Sequence, residues 1–458
     1  MTPTLWGAGD GLDDAVAEFT AGGDRRWDRR LLSWDALASV AHVQGLAEAG
    51  LLPAGEGELL VGGLRRALAE IEAGSLTVGE DDEDAHTALE GWLVRTLGAT
   101  GEKVHTGRSR NDQVLAALAL FTRDRMLEVM GATLDTVGAL LELGRRHRRV
   151  LMPGYTHLRR AMPSTVGLWA GGYAESLLDD LGPLAAALDL ADVSPLGSAA
   201  GYGTPLPLDP ASVARRLGFA RPRHCVTAAQ LGRGKLEAVV LGALWTVARD
   251  LGALAWDVVL FSAEEYGYFR IPARLATGSS IMPHKRNPDV FELLRGRAGV
   301  VCGLAVQAMT VAGPLPGGYH RDLQLVKGPL MEGLDTVHGM LGMAGRALAG
   351  LEVDRAVCER AVRGDLLATD EVYRRVREGQ PFRRAYRAVA AEVAAGRTLP
   401  DVEPAQLLAV RRSRGGAGDP KLLARIVRAA AAWRRRLDAR RERHAQAVDA
   451  LRGVAEGS

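Results

Sequence analysis

The run KLEAVVLGALWTVARDLGALAWDVVLF, residues 235–261, constrains the fold more than any other stretch of the chain. Its apolar residues recur at three- and four-residue spacing and cover most of a helix's circumference. A helix apolar on so many sides must be surrounded by other helices or by lipid. Charged residues decide between the two. Glu237, Arg249, Asp250 and Asp257 interrupt the stretch from Leu236 to Phe261, and its longest uncharged run is Ala238 to Ala248. A membrane span needs about 20 mostly apolar residues. The run therefore predicts a buried helix in a bundle, with no membrane partner.

Two further segments, 134–150 and 167–193, carry the same helical periodicity, and no long alternating Val/Ile/Thr segments compete with them. The expected fold class is all-α. With 458 residues, 47% hydrophobic and 24% charged, the chain has the balance of a folded protein with room for more than one domain. Its net charge of +2 argues against a dominant polyanionic partner. The start, MTPTLWGAGDGLDD, has no basic segment followed by an apolar one, so no secretory leader is expected. Cys225, Cys302 and Cys358 are far apart in sequence and are expected to be buried, reduced thiols. The ten histidines form no ligand-spaced cluster, so no metal is expected. The basic stretch 432–446 has acidic residues interspersed at helical spacing and reads as a solvated helix face rather than a nucleic-acid arm.

The breaks between helices carry the chemistry. Pro153 and Gly154 are expected to end a helix ahead of YTHLRRAMP. Long Gly/Pro-rich loops follow at 194–210, 277–289 and 312–324, and loops of that length in a helical protein are usually functional. In GSSIMPHKRNPD, Pro283 and Pro288 exclude helix through the middle, Asn287 is the expected N-cap and Pro288 the first helical residue. Lys285 and Asn287 then stand before a helix N-terminus, where an anion is favoured. A lone SS or KR pair would be an ordinary solvated turn. HTGRSRNDQ, residues 105–113, is a second such stretch: nine residues, none of them apolar. Its donors suit a ligand carrying several carboxylates. A phosphate or RNA backbone would use the same donors, but Asp112 and the lack of interleaved aromatics disfavour nucleic acid.

SSIMPHKRNP resembles the signature of the fumarase/aspartase superfamily. HTGRSRNDQV and MPGYTHLRRAMPSTVG resemble two regions of its argininosuccinate lyase branch, and DEDAHTALE, SPLGSAAGYGT, YHRDLQLVK and ATDEVYRRVREGQPFRRA fall in the order expected of that family. The resemblance covers about residues 4 to 400. It implies a three-domain fold with a long central helix bundle, divided at 1–107, 108–355 and 356–458. It implies a cytoplasmic homotetramer with shared active sites and no cofactor, catalysing reversible β-elimination of argininosuccinate to arginine and fumarate, the last step of arginine biosynthesis.

The same resemblance assigns roles. Ser279 is the general base. Lys285 and Asn287 hold the carboxylate on which charge builds. His157, beside Thr156, serves the leaving nitrogen, and Glu292 pairs with a histidine. His86, Ser109, Arg110, Asn111, Tyr319, Gln324 and Lys327 contact the substrate. The sequence departs from the family pattern in four places. Arg159 and Met162 stand where glutamines are usual. LWGAGD lacks an arginine, FTAGGDRRWD lacks a serine, and residues 225–237 keep Arg233 but lose two acidic residues. These departures concern the amine half of the substrate. They leave open a related lyase acting on another N-succinyl amine, and a non-catalytic structural relative.

Overall fold

The computed structural model describes residues 13–313, 315–400 and 402–453. The LWGAGD segment lies outside them. After short helical segments within residues 14–28, three longer helices follow: α1 (Leu32–Glu48), α2 (Ala54–Ala73) and α3 (Ala85–Leu97). They enclose a core of their own, with Leu37, Val43, Leu46, Leu60, Leu64 and Leu93 buried. The Asp84 carboxylate caps α3, accepting from Thr87 N at 2.8 Å.

The longest helix follows. α4 (Arg110–Arg146) runs 37 residues, about 55 Å at the α-helical rise. Its start is written locally: Ser109 and Asp112 form a capping box, Ser109 N donating to Asp112 Oδ1 at 2.9 Å. At its far end the chain turns into a hairpin, β1 (Leu151–Thr156) against β2 (Arg159–Thr165), antiparallel with an irregularity between Gly154 and Tyr155. The expectation that Pro153 and Gly154 merely end a helix is corrected here, because both lie within a strand. α5 (Val166–Asp179) and α6 (Leu181–Ala191) follow, so the periodic segment 167–193 is two helices that meet at Asp180.

The run that opened the sequence argument becomes α7 (Lys235–Phe261). By length and hydropathy alone, the segment containing it passes as a membrane span, yet most of its apolar window is packed inside the protein. Leu241, Leu244, Val247, Leu251 and Val258 are fully buried with Leu140, Leu184, Leu330 and Leu334 of neighbouring helices. Each fully buried leucine contributes about 2 kcal/mol. After α7, β3 (Thr277–Gly278) pairs with β4 (Arg286–Asn287), and the chain enters α8 (Asp289–Ala312). Pro288 is the N-cap of α8 and Asn287 belongs to β4, which corrects the expected cap by one residue. α9 (Lys327–Gly350) completes the bundle.

The direction of these helices positions everything that follows. Gly234, at φ +74°, leads into α7 against Ala312 at the end of α8, and a side chain there would collide with it. α7 and α8 are therefore antiparallel. Gly234, Ala312 and Lys327 mark one end of the bundle. Phe261 packs against Tyr155 of β1 at the other.

Beyond residue 355 lie α10 (Ala368–Arg377) and α11 (Phe382–Ala394), with small clusters around Leu366, Leu367, Leu407 and Val389. α12 (Leu422–Arg452) returns to the main body. It buries Ile426 and Leu437 in the central core and Leu451 in the N-terminal one. Its arginines pair at the surface, Arg434 with Asp135 and Arg440 with Asp189, as a solvated face should. The thiols differ from expectation: Cys358 is buried, but Cys225 and Cys302 are exposed.

Candidate active site

A cavity of about 520 Å³ opens at the Lys327 end of the bundle. HTGRSRND, DEDAH and YHRDLQLVK meet there. Seven of the residues expected to bind substrate line it: His86, Ser109, Arg110, Asn111, Tyr319, Gln324 and Lys327. The capping box fixes Ser109, Arg110 and Asn111 at the first turn of α4, where backbone N–H groups favour an anion. Arg110 ties this turn to the DEDAH segment through Glu83 at 2.6 Å and Thr87 Oγ1 at 2.9 Å.

His86 is the second residue of α3, with only 6% of its surface exposed. Its Nδ1 meets Asp35 Oδ2 at 2.7 Å, and Asp35 is itself fully buried on α1. That contact leaves Nε2 for whatever occupies the cavity. Burial pulls the imidazole toward its neutral form. The carboxylates of Asp35, Asp84 and Asp28 outweigh burial, so its pKa is raised above the ordinary 6.5.

Lys327 is also buried. Its ammonium lies 2.7 Å from Asp24 and in contact with Asp28. Burial disfavours its charge, and the two carboxylates more than restore it. Gln324 reaches Thr20 O at 2.9 Å. Asp112 accepts from Ala199 N at 2.9 Å as well as from Ser109 N, and so pins the SPLGSAAGYGT loop to the start of α4. Burial pushes its carboxyl up to about 6 against those hydrogen bonds.

The cavity has further walls that sequence reasoning did not select. Asp24, Asp28, Glu83, Asp84, His105, Arg108 and Arg321 all line it, and Arg233 joins them. Asp84 carried a usable signal, as an aspartate three residues ahead of Thr87 at a helix start. Asp24 and Asp28 carried none, because their partner Lys327 is about 300 residues away.

The remaining expected residues lie elsewhere. Thr156, His157, Ser279, Lys285, Asn287 and Glu292 do not line this cavity. Thr156 and His157 are exposed at the tip of the β1–β2 hairpin. His157 and Leu158 form its two-residue turn at φ +54° and +57°, a conformation that glycine or asparagine usually takes. Below the tip, Tyr155 OH meets Tyr268 OH at 2.7 Å within a cluster of Phe261, Tyr266 and Tyr268. That cluster roots the strained turn in the bundle.

Ser279 and Lys285 sit on the loop between β3 and β4. Ser279 Oγ accepts from Ile281 N at 3.3 Å and Met282 N at 3.1 Å. Donors aimed at a hydroxyl oxygen favour its ionised form. Asn287 Nδ2 donates to Gly278 O at 3.4 Å, closing the loop's base. Lys285 is exposed. Glu292 is exposed too, and within this chain, among the described residues, it makes no ion pair with a histidine.

Known proteins resemble this chain in sequence and fold. The family model described as lyase matches residues 13–303. An argininosuccinate lyase of Sorangium cellulosum is 46% identical over 92% of this chain and 96% of its own length. One from Thermotoga neapolitana is 40% identical over 85% of this chain and 98% of its own. Among solved structures, an EDDS lyase in complex with formate superposes with TM-score 0.81 at 22% identity, covering 97% of this chain and 96% of that one. The class II fumarase of Schistosoma mansoni does so with TM-score 0.70 at 18% identity, covering 81% and 85%. These structures share the all-α fold. From the family match and the curated relatives together, the chain belongs to the argininosuccinate lyase family of the fumarase/aspartase superfamily.

Proposed function

We propose that the protein is a carbon–nitrogen lyase that splits argininosuccinate into arginine and fumarate, reversibly and without a cofactor, in cytoplasmic arginine synthesis. The observation that carries this reading is the cavity, where the three motif segments meet to surround a polyanionic ligand with fixed donors. The curated relatives, which match over most of both chains, support it.

The chemistry is proton loss from the carbon beside a carboxylate, followed by cleavage of the C–N bond. Ser279 removes the proton, helped by the two backbone N–H groups at its Oγ. The carboxylate next to that carbon becomes an aci-dianion, which Lys285 and Asn287 stabilise where charge develops. His157, with Thr156, supplies hydrogen bonding or a proton to the departing guanidino nitrogen. Ser109, Arg110, Asn111, His86, Tyr319, Gln324 and Lys327 hold the rest of the substrate.

No single chain brings these groups together. The cavity stands at the start of α4 and the His157 hairpin beyond its end, about 55 Å along the helix. The Ser279 loop lies past the end of α7, 27 residues and about 40 Å from Arg233. We therefore infer a homotetramer in which an antiparallel copy brings its hairpin and loop to this cavity. The outer face of the bundle suits such a neighbour: Trp256, Leu293, Val300, Val306 and Met309 are 48–61% exposed.

Purified protein mixed with argininosuccinate should release fumarate, followed by its ultraviolet absorbance. Ser279→Ala should lower the rate by about 10³-fold or more. No release from a folded wild-type tetramer would refute the argininosuccinate assignment. Other N-succinyl amines are the next substrates, because Arg159 and Met162 and residues 225–237 alter the amine side.

A further inference from the structure

A second, much smaller cavity lies away from the substrate cavity, where α4, α6 and α12 meet. Its volume is about 10 Å³, room for one atom-sized guest. Its charged lining is Arg123 of α4, Asp192 just past α6, and Arg440, Arg443 and His444 of α12. Among the described residues Asp192 is the one carboxylate in this lining, and it serves two of the three guanidiniums, Arg123 at 3.1 Å and Arg443 at 3.2 Å. Arg440 pairs instead with Asp189 at 2.7 Å, a carboxylate 61% exposed to solvent. Hydrogen-bonding atoms are left over on the inside. Arg123 is buried at 3% exposure, and its Nε has no partner among the described residues. Arg440 Nη1 and His444 Nδ1 are buried without partners as well.

Arg123 is not placed to swing away and find an acceptor elsewhere. Its Nη2 donates to Leu217 O at 2.7 Å, and its guanidinium carbon lies 4.5 Å from the centre of the Phe219 ring. His444 is held by stacking on Trp34, ring centres 6.0 Å apart, and by Asp124 Oδ1 at 3.2 Å from its Nε2. Burial works against the Arg123 charge, and Asp192 only partly restores it. A fixed, desolvated cluster of this kind is costly unless a guest answers it. A water would accept hydrogen bonds and leave the excess positive charge in place. A small anion supplies acceptor and charge together. The cavity has no room for a carboxylate or a phosphate, which leaves a monatomic anion. Its place in the fold gives such an ion a task. Asp192 stands near the root of the 195–209 loop, which Asp112 holds at the substrate cavity through Ala199 N.

We propose that this cavity binds one chloride-sized halide ion, which fastens α12 to α4 and to the root of the 195–209 loop. Bromide is the direct probe. Crystals of the full-length protein in sodium bromide should show an anomalous-scattering peak in this cavity. In solution, chloride or bromide should raise the unfolding midpoint of the full chain by about 2 °C over gluconate at equal ionic strength, and the gain should grow with the logarithm of halide concentration. Gluconate is too large to enter, so a general salt effect would not separate the two. Arg440→Met removes one inward donor at a partly exposed side chain outside the substrate cavity. It should abolish the halide-specific gain and leave the midpoint in gluconate within about 1 °C of wild type. Should that variant fail to fold, the bromide crystals and the comparison of anions on wild type still decide. Water in the cavity with no anomalous signal would overturn the proposal, as would equal midpoints in halide and gluconate. A halide gain unchanged in Arg440→Met would place the effect at the protein surface and overturn it too.

Discussion

At the Lys327 end of the bundle, most charged groups are held by partners within the chain. Lys327 is clamped by two carboxylates, His86 by Asp35, and Arg110 by Glu83. At the opposite end His157 and Lys285 face solvent, on a two-residue turn and on a loop closed by two residue pairs. One end is preorganised by its own chain. The other presents reactive groups on short projections, of which the hairpin is rooted in aromatic packing. The contrast is what a composite site requires: a receptor that holds its shape alone, and donors that become buried only when another subunit accepts them.

The sharpest way to break this contrast is to separate the two ends genetically. Ser279→Ala and Asn111→Ala should each be inactive as pure assemblies, one lacking the projecting base and the other a cavity donor. Dissociated together and reassembled, they should regain activity on the order of 10²-fold above either parent, because some sites then draw both intact parts from different chains. Mixed assemblies that stay inactive would rule out a shared site.

Stability should separate the ends next. Lys327→Met leaves Asp24 and Asp28 buried without their cation, and should cost about 3–5 kcal/mol in denaturant unfolding. Lys285→Met, at an exposed site, should change stability by less than about 0.5 kcal/mol. Equal effects would mean that the cavity is not preorganised.

The pH dependence of stability is a finer probe of the buried end. His86 holds its proton more tightly in the folded state than its ordinary 6.5. Its contribution is therefore complete below the unfolded pKa and is lost as pH rises through the folded one. Unfolding free energy measured from acidic to mildly alkaline pH should show this decline in wild type, and His86→Gln should flatten it. A slope that survives the substitution would belong to another group.

The smallest effect belongs to the exposed turn. Leu158 is 72% exposed and adopts φ +57°. Leu158→Gly relieves left-handed strain worth about 1 kcal/mol, partly offset by the freer unfolded chain. A modest gain in stability with a lower kcat would mark the strain as serving the position of His157. A loss of stability would show that Leu158 contributes contacts instead.

These residues also show what the sequence made legible. The helix at 235–261 and the loop around Ser279 depend on local pattern, and they stand where it placed them. The hairpin at 151–165 did not announce itself, because its turn is His157-Leu158 rather than a glycine pair and its strands contain Pro153 and Pro163. The Asp35–His86 pair is 51 residues apart and the Lys327–Asp24 pair 303. Periodicity carries no information at such separations. Asn287 missed its expected cap by one residue because β4 claims its backbone.

α4 is also a measuring rod. Its 37 residues set both the distance and the angle between the cavity and the hairpin. One inserted residue would lengthen it by about 1.5 Å and swing everything beyond by about 100°. Length changes among relatives should therefore be purged from this helix and collect in loops such as 195–209. The spacing of the reactive parts is encoded as an uninterrupted count of residues.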